Sequence, residues 1–529
     1  GEGECQMLNR IMGEEIEWAG GCRLEPGGAW GFIGDSFDKI KESVFLEYKN
    51  TNNPAFLLYG NTLNPVSLEF GNARNAPFFL PNGAKIYHET TGSHLETASP
   101  ECSNALEVLK FDKWSETFVC WVSRVLKERH NMDLIFFKKN ADSELTTTRG
   151  CHENYFSEKI FGTLLKESEQ RLKGDVTLIH PEINYFILFL ITRQIFTGSG
   201  GVMLYSVRGG DDIYEISPRT HFIDSVVSSS TTTGGSGGRA IINVREEPLA
   251  GNDEYWRNHL ILGDANMADL SIFLKFGTTS AIIEMIEEGS WNDNLCLDNP
   301  RDAPKIFQSI SKDLTLKNVP IRLKNGKNYT VLQIQKKFCK NWREHIKNTR
   351  DGGEKVEIAS RWREVLERLD VDDENLYSQL DWKIKMRLIK NFMDKKSLPL
   401  NHEKVLNIDN LYHNPDPKIS FYYKLKNLPG SNFLSLVSES EVSNADRVPP
   451  ETRAKLRVTL KKIIDELKLT CTIIDWNTIA FKCKGENREY RISMPDPRNS
   501  SLSSLISQEN EAAIKYLNDL RRDAIIIPI

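Results

Sequence analysis

The stretch RIMGEEIEW, Arg10 to Trp18, places three carboxylates within four positions near the start of the chain. With the two-residue period of a strand, Ile11, Gly13, Glu15 and Glu17 fall on one face and Met12, Glu14, Ile16 and Trp18 on the other. One face is apolar apart from Glu14. The other ends in two acids whose Cα atoms would lie roughly 6–7 Å apart. Such a pair suits hard divalent cations, while an exposed strand with solvated glutamates would carry the same letters.

A second acidic strand lies in LPNGAKIYHETTGSHLETASPEC, Leu80 to Cys102. Here Lys85, Tyr87 and Glu89 share a face, Ile86 and His88 take the other, and His94 and Glu96 follow a glycine turn. Two such strands delivering carboxylates and a phenol to one surface would form an oxygen-rich nest for Mg²⁺; two unrelated polar strands are the plain alternative. In RGCHENYF, Cys151 adjoins His152. Neighbours on an extended chain point to opposite faces, which argues against a thiol–imidazole pair. In AIINVREEPLA, Asn243 and Arg245 alternate onto one face. Arg245 suits bidentate phosphate contact or a surface salt bridge. The glycine-rich patch Ser228 to Gly238 lacks the Lys-Ser/Thr ending of a P-loop and reads as a flexible loop.

The chain that must position these groups has 529 residues, long enough for two domains. With 40% apolar residues, 27% charged residues and a net charge of −5, it reads as a globular enzyme with no nucleic-acid partner. The longest apolar run, INYFILFLI, is too short to span a bilayer and reads as a buried strand or helix, so no membrane partner is expected. Nine scattered cysteines without a C-x-x-C pair fit reduced thiols in a cytoplasmic protein. No secretory signal is visible, and Met7 is the expected natural start. The first half reads as strands and loops, with KIYHE, DLIFFKK and RAIINVREE as strands and Glu47 to Phe78 as a long surface excursion. From about Ala268 helical spacing dominates, in SAIIEMIEE, EIASRWREVLERLD and DWKIKMRLIKNFMD. Prolines open a further helix in VPPETRAKLRVTLKKIIDELK.

Eleven stretches in this order, RIMGEEIEW, NGAKIYHE, GSHLETASPEC, GCHENY, LITRQIFTGSG, IINVREEP, GDANMAD, LDNP, DWKIK, PPETRAKLR and IDW, resemble the Pup ligases and the related Pup deamidase/depupylases. These belong with the carboxylate–amine ligases of glutamine synthetase type. The resemblance implies an α+β fold: a glutamine-synthetase-like domain over residues 1–425, with a curved, mostly antiparallel sheet binding ATP and Mg²⁺, then a small α+β domain over 426–529. It implies Glu15, Glu17, Tyr87 and Glu96 as metal ligands, Asn243, Arg245 and Trp476 as nucleotide contacts, and Glu89 as catalytic base. The family places an aspartate at the position of Glu89, and the turn here carries an extra residue at Thr90 and Thr91. Leu249 replaces a histidine and Thr97 a tyrosine, departures expected to touch the substrate path. The implied reaction joins the C-terminal glutamate of a small, disordered Pup-like modifier to lysines of target proteins. GCHENY, LDNP and PPETRAKLR look like the ligase branch; the long excursion before NGA looks like the hydrolase branch, which stands as the alternative. A catalytically weak homologue that only binds the modifier is a third reading, opposed by the acids retained together.

Overall fold

The computed structural model describes residues 10–50, 57–58, 77–89, 93–174, 179–230, 239–245, 254–348, 353–483, 485 and 488–520. Met7, most of the excursion between Glu47 and Phe78, Thr90 and Thr91, residues 231–238 of the glycine-rich patch, and Leu249 lie outside the described residues.

A nine-stranded sheet organises the molecule. Its strands are β1 (Met12–Glu17), β2 (Leu57–Leu58), β3 (Phe78–Phe79), β4 (Lys85–Glu89), β5 (His94–Ala98), β6 (Cys151–Glu158), β7 (Ser225–Ser228), β8 (Ala240–Asn243) and β9 (Tyr255–Leu260). They lie in the order β7-β8-β9-β6-β1-β5-β4-β3-β2, so the acidic first strand is central. Only β7 and β8 run parallel; the other pairs are antiparallel. Along β1 burial alternates residue by residue, with Met12, Glu14 and Ile16 inward. That is the period-two pattern read from the sequence.

Helices cover the inward face. The apolar run expected as strand or helix is the helix α2 (Pro181–Thr192), wholly buried from Ile183 onward. Behind the sheet it meets α1 (Ala105–His130) and α3 (Asp269–Glu287) in one core with Met12, Ile16, Trp18 and Tyr155. The 26-residue α1 corrects the reading of the first half as strands and loops. Its buried positions include Asp112, Lys113 and Glu116, so the apolar stripe that marks an amphipathic helix is interrupted by charge. It is nonetheless well defined at its ends: the Asn104 side chain accepts from Glu107 N–H, and Asn131 closes it in the left-handed conformation.

A second core is built from α4 (Arg453–Glu466), the strands β10 (Thr470–Asp475), β11 (Thr478–Lys482) and β12 (Glu489–Ser493), and α5 (Glu511–Leu520). Pro449 and Pro450 precede α4 rather than occupying its first turn, and Thr452 caps it. Residues 434–442 pack instead against the first core, where Ala445 is itself buried. The second core takes in Phe79 and Ala98 from the outward face of the large sheet.

Glu101 fastens the two bodies. It accepts from Arg453 Nε at 2.8 Å, Arg457 Nη1 at 2.9 Å and Arg457 Nη2 at 2.9 Å, and all three side chains are buried. Burial alone would raise its carboxyl, but the guanidiniums of Arg457 and Arg453 overcome this and hold the pKa at about 2. Glu101→Gln leaves two buried guanidiniums short of their counter-ion and is expected to cost about 3–5 kcal/mol in denaturant unfolding. Because the folded pKa lies below the unfolded one, the wild-type contribution is full above about pH 4.3 and fades as the pH falls toward 2. A variant with wild-type stability at pH 7 would remove the clamp from the fold.

Candidate active site

The register of the sheet assembles the outward face. Glu17 lies directly opposite Glu96, and Glu96 in turn opposite Tyr87. Glu15 lies opposite His152 on β6, and His259 on β9 lies opposite Asn154 and Asn243. Opposed residues of antiparallel strands share a face. Glu15, Glu17, Tyr87, Glu89, Glu96 and Asn243, expected separately from the sequence, therefore stand on one surface with three histidines.

Electrostatics on this surface are set by crowding. Burial would raise the carboxyl of Glu15, but the hydrogen bond from His152, with His259 and Arg257 beside it, brings its pKa to about 2. Glu17 is lowered against burial by His94, by His152 and by the backbone N–H of Gly150. Its carboxylate lies 3.5 Å from His94 Nε2 and 3.9 Å from His152 Nε2. Glu96 shifts the other way: burial, and then the charges of Glu15, Glu17 and Glu89, push it well above the usual carboxylate range. The Tyr87 phenol is also raised, by burial and then by the charges of Glu15 and Glu96, so it is neutral. A set of carboxylates that cannot all ionise together is short of positive charge.

Divalent cations fit that deficit. The carboxylate of Glu15, His152 and His259 each place one ligand atom within 4.8 Å of the others. Both ring nitrogens of His94 and of His259 are buried without a hydrogen-bond partner. Burial, then Arg257 and His152, lowers His259 well below the usual imidazole range, which keeps it in the neutral form a metal requires. The nest thus holds more nitrogen ligands than the oxygen-rich nest read from the sequence, His152 and His259 joining the acids. The missed signal lay in the alternation of YWRNHL, which puts His259 on the face of Arg257.

The remaining residues divide. Asn243 is fully buried and its carboxamide is committed, Nδ2 donating to Ser230 O at 3.1 Å and Oδ1 accepting from Arg245 N at 2.9 Å. It orders the end of β8 and leaves Arg245 exposed beyond it. Trp476 is buried at the turn between β10 and β11, edge-on to Phe79 at 5.2 Å. It walls a recess of about 90 Å³ with Phe156, Pro497, Gly13 and Glu15. Lys85 Nζ lies 4.6 Å from the ring centre of Tyr87 and 5.4 Å from that of Trp476.

Two expectations about side chains resolve on the inward face. Cys151 and His152 do point apart: the thiol is buried and donates to Glu14 Oε1 at 3.1 Å, behind the sheet. Thr97, expected to bear on the substrate path, instead faces inward, and its Oγ1 accepts from Trp18 Nε1 at 3.0 Å. Glu14 itself is held against burial by Lys275, at 3.3 Å.

The family model described as "Pup-ligase protein" matches residues 10–480. The chain belongs to the Pup ligase family. Among its relatives, the Pup–protein ligase of Kineococcus radiotolerans is 32% identical over 410 residues, 76% of this chain and 84% of that protein. That of Geodermatophilus obscurus is 33% identical over 411 residues, with the same coverage. The crystal structure of the complex between the prokaryotic ubiquitin-like protein Pup and its ligase PafA matches with a TM-score of 0.73 and 25% identity, over 96% of this chain and 91% of that one. The Pup ligase PafA in complex with ADP matches with a TM-score of 0.69 and 25% identity, over 86% and 92%. The Pup ligase reading of the sequence is therefore upheld, its α+β fold included, and the hydrolase alternative gives way to an ATP-dependent ligase.

The inward placement of Thr97 generates a test. Thr97→Val keeps the volume but leaves the buried Trp18 N–H unpaired, and a loss of about 1–3 kcal/mol in unfolding is expected. Nucleotide binding should stay within twofold of wild type, since no outward group changes. A large loss of nucleotide affinity at unchanged stability would return Thr97 to the substrate path.

Proposed function

We propose that the outward face binds ATP with Mg²⁺ and uses it to join the C-terminal glutamate of a Pup-like modifier to lysine side chains of target proteins. The observation that carries this reading is the convergence of Glu15, Glu17, Tyr87, Glu89 and Glu96 on one surface through strand register. Glu15, Glu17 and Glu96, with His152 and His259, would hold the cations. A bound cation supplies charge neutralisation for the phosphates. The recess under Trp476 has the planar, apolar walls that suit a nucleotide base, and Arg245 suits a phosphate. The modifier is expected to be small and disordered, and the setting cytoplasmic. Among the described residues no helix is long and apolar enough to cross a membrane.

The chemistry has two steps. An oxygen of the modifier's terminal γ-carboxylate attacks the γ-phosphorus of ATP, releasing ADP and leaving an acyl phosphate. A target lysine amine then attacks the acyl carbon, and phosphate leaves as the isopeptide C–N bond forms. The amine must lose a proton, and a carboxylate is the group placed to take it. Glu89 is half-buried on the same face as Tyr87, opposite His94 at the edge of the acid cluster. We assign the proton to its side-chain oxygen. The positive charge that an incoming ammonium brings is welcome where carboxylates crowd.

Calorimetry separates the binding roles from the base. Glu15→Gln and Glu17→Gln should each weaken ATP binding at least tenfold in the presence of Mg²⁺, and wild-type affinity in both would remove the cation assignment. Glu89→Gln should bind ATP normally and conjugate about 10²–10⁴-fold more slowly. Glu89→Asp restores the residue the family carries, and its rate reports whether the longer side chain compensates for the altered turn. Conjugation by Glu89→Gln at the wild-type rate would mean that another group takes the proton.

A further inference from the structure

Three of the exposed large apolar side chains fall within nine residues: Leu24 at 53%, Trp30 at 52% and Phe32 at 61%. They belong to the loop that follows Ala19–Arg23, a strand paired with Asp133–Phe137. Backbone hydrogen bonds run both ways between Cys22 and Gly31, at 3.1 and 2.7 Å, and the Cys22 thiol donates to Phe32 O at 3.0 Å. The Arg23 guanidinium lies 5.1 Å from the centre of the Trp30 ring, and Phe32 N–H donates to Asp35 Oδ2 at 3.2 Å. Two aromatic rings are thus held in water by a braced loop, a pattern that marks interaction surfaces.

The loop is fastened to the hairpin that carries Glu89. Gly34 N–H donates to Ser93 O at 2.9 Å, and a Cβ at Gly34 would lie 2.2 Å from His88 Nε2, so glycine is what permits this approach. Phe37 stacks on His88 with ring centres 5.3 Å apart. The charges of Glu89, Asp35 and Asp38 all act on His88, and Asp35 and Asp38 are exposed. Over residues 19–40 the only cations, Arg23 and Lys39, are paired with Asp133 and Glu42. The surface next to Glu89 is therefore apolar and acidic together. Trp30 and Phe32 also border a cleft of about 550 Å³ with Gly20, Gly21 and Ile135, which gives a partner a concave seat.

We infer that Leu24, Trp30 and Phe32, with Asp35 and Asp38, form the surface on which the lysine-bearing target protein docks. The inference rests on the ligase reading above. Of the two protein substrates, the modifier arrives by an anionic terminus and the target by an ammonium, and a rim of carboxylates favours the second. Surface lysines also bring methylene stems that can cover aromatic faces while their ammonium groups meet carboxylates. Because the rings are already ordered by the loop, docking gives up little side-chain entropy. A target seated here presents its amine at the end of the hairpin where Glu89 stands.

The test uses the full-length protein with Pup as modifier and two acceptors: cytochrome c, folded and rich in lysine, and Nα-acetyl-lysine amide, too small to span the surface. Trp30→Ala combined with Phe32→Ala, and separately Asp38→Lys, should each raise KM for cytochrome c at least tenfold. KM for Pup and the rate of conjugation to Nα-acetyl-lysine amide should stay within twofold of wild type, a split that a general loss of structure would not produce. Phe32→benzoylphenylalanine reads docking without turnover: on illumination it should crosslink to cytochrome c. Crosslinking to Pup instead would overturn the assignment. So would a KM for cytochrome c within twofold of wild type in both variants, with unfolding midpoints unchanged. If the wild-type protein conjugates neither acceptor while the crosslink to cytochrome c still forms, the ligase reading fails and the docking surface stands.

Discussion

Like-charged carboxylates facing each other across adjacent strands repel, and here Glu17 stands directly opposite Glu96. Everything around the central strand answers that constraint. On the inward face, Glu14 is met by Lys275 and Glu153 is held in two places by Arg193, so the strands that carry the outward acids are anchored by buried opposite charges. Deeper still, Lys138 bridges Asp112 and Glu116 of α1 with all three side chains almost fully enclosed. On the outward face the imidazoles of His94, His152 and His259 approach the acids without cancelling them. The acids on the inward side are thus each met by a buried cation, while those on the side that meets ligands are left in excess.

The stretches that identify the family are mostly scaffold. Asp381 of DWKIK accepts from the backbone N–H groups of Met267 and Ala268, from Asn266 Nδ2 at 3.0 Å and from Tyr412 Oη at 2.7 Å. It thereby fixes the segment GDANMAD at the start of α3. Lys385 from the same motif donates to Gly200 O at 2.6 Å and to Asp409 at 2.8 Å, tying down the end of LITRQIFTGSG. Asn82 of NGA supports its own turn through Ala84 N and reaches Ala445 O at 2.8 Å. Each of these polar groups is buried, and each is satisfied by a set of partners drawn from distant parts of the chain.

How much could be read in advance follows from what each feature depends on. The two faces of β1 were legible because period-two alternation is local. The opposition of Glu17, Glu96 and Tyr87 needed strand register, and the resemblance supplied what composition could not. Helix α1 was missed because its inward charges, Asp112, Lys113 and Glu116, interrupt the apolar stripe and find partners outside the helix as well as each other, in Lys138, the Met267 carbonyl and Tyr423. His259 has its alternation with Arg257 as a local signal, but that alternation does not announce that β9 will lie two strands from Glu15. Asn243 shows the converse, a residue correctly placed on the face whose side chain is spent on backbone groups beside it.

The recess under Trp476 lies on the seam between the two cores, with one wall from each. Any ligand seated there touches both bodies, and its binding energy is shared with the contact that keeps the smaller body docked. By mass action, a ligand at a hundredfold excess over its dissociation constant adds about 2.7 kcal/mol to the state that binds it. Occupancy of the recess therefore acts as a molecular splint. When ligand is scarce the seam loses that increment, and protease resistance of the C-terminal body should fall as the site empties.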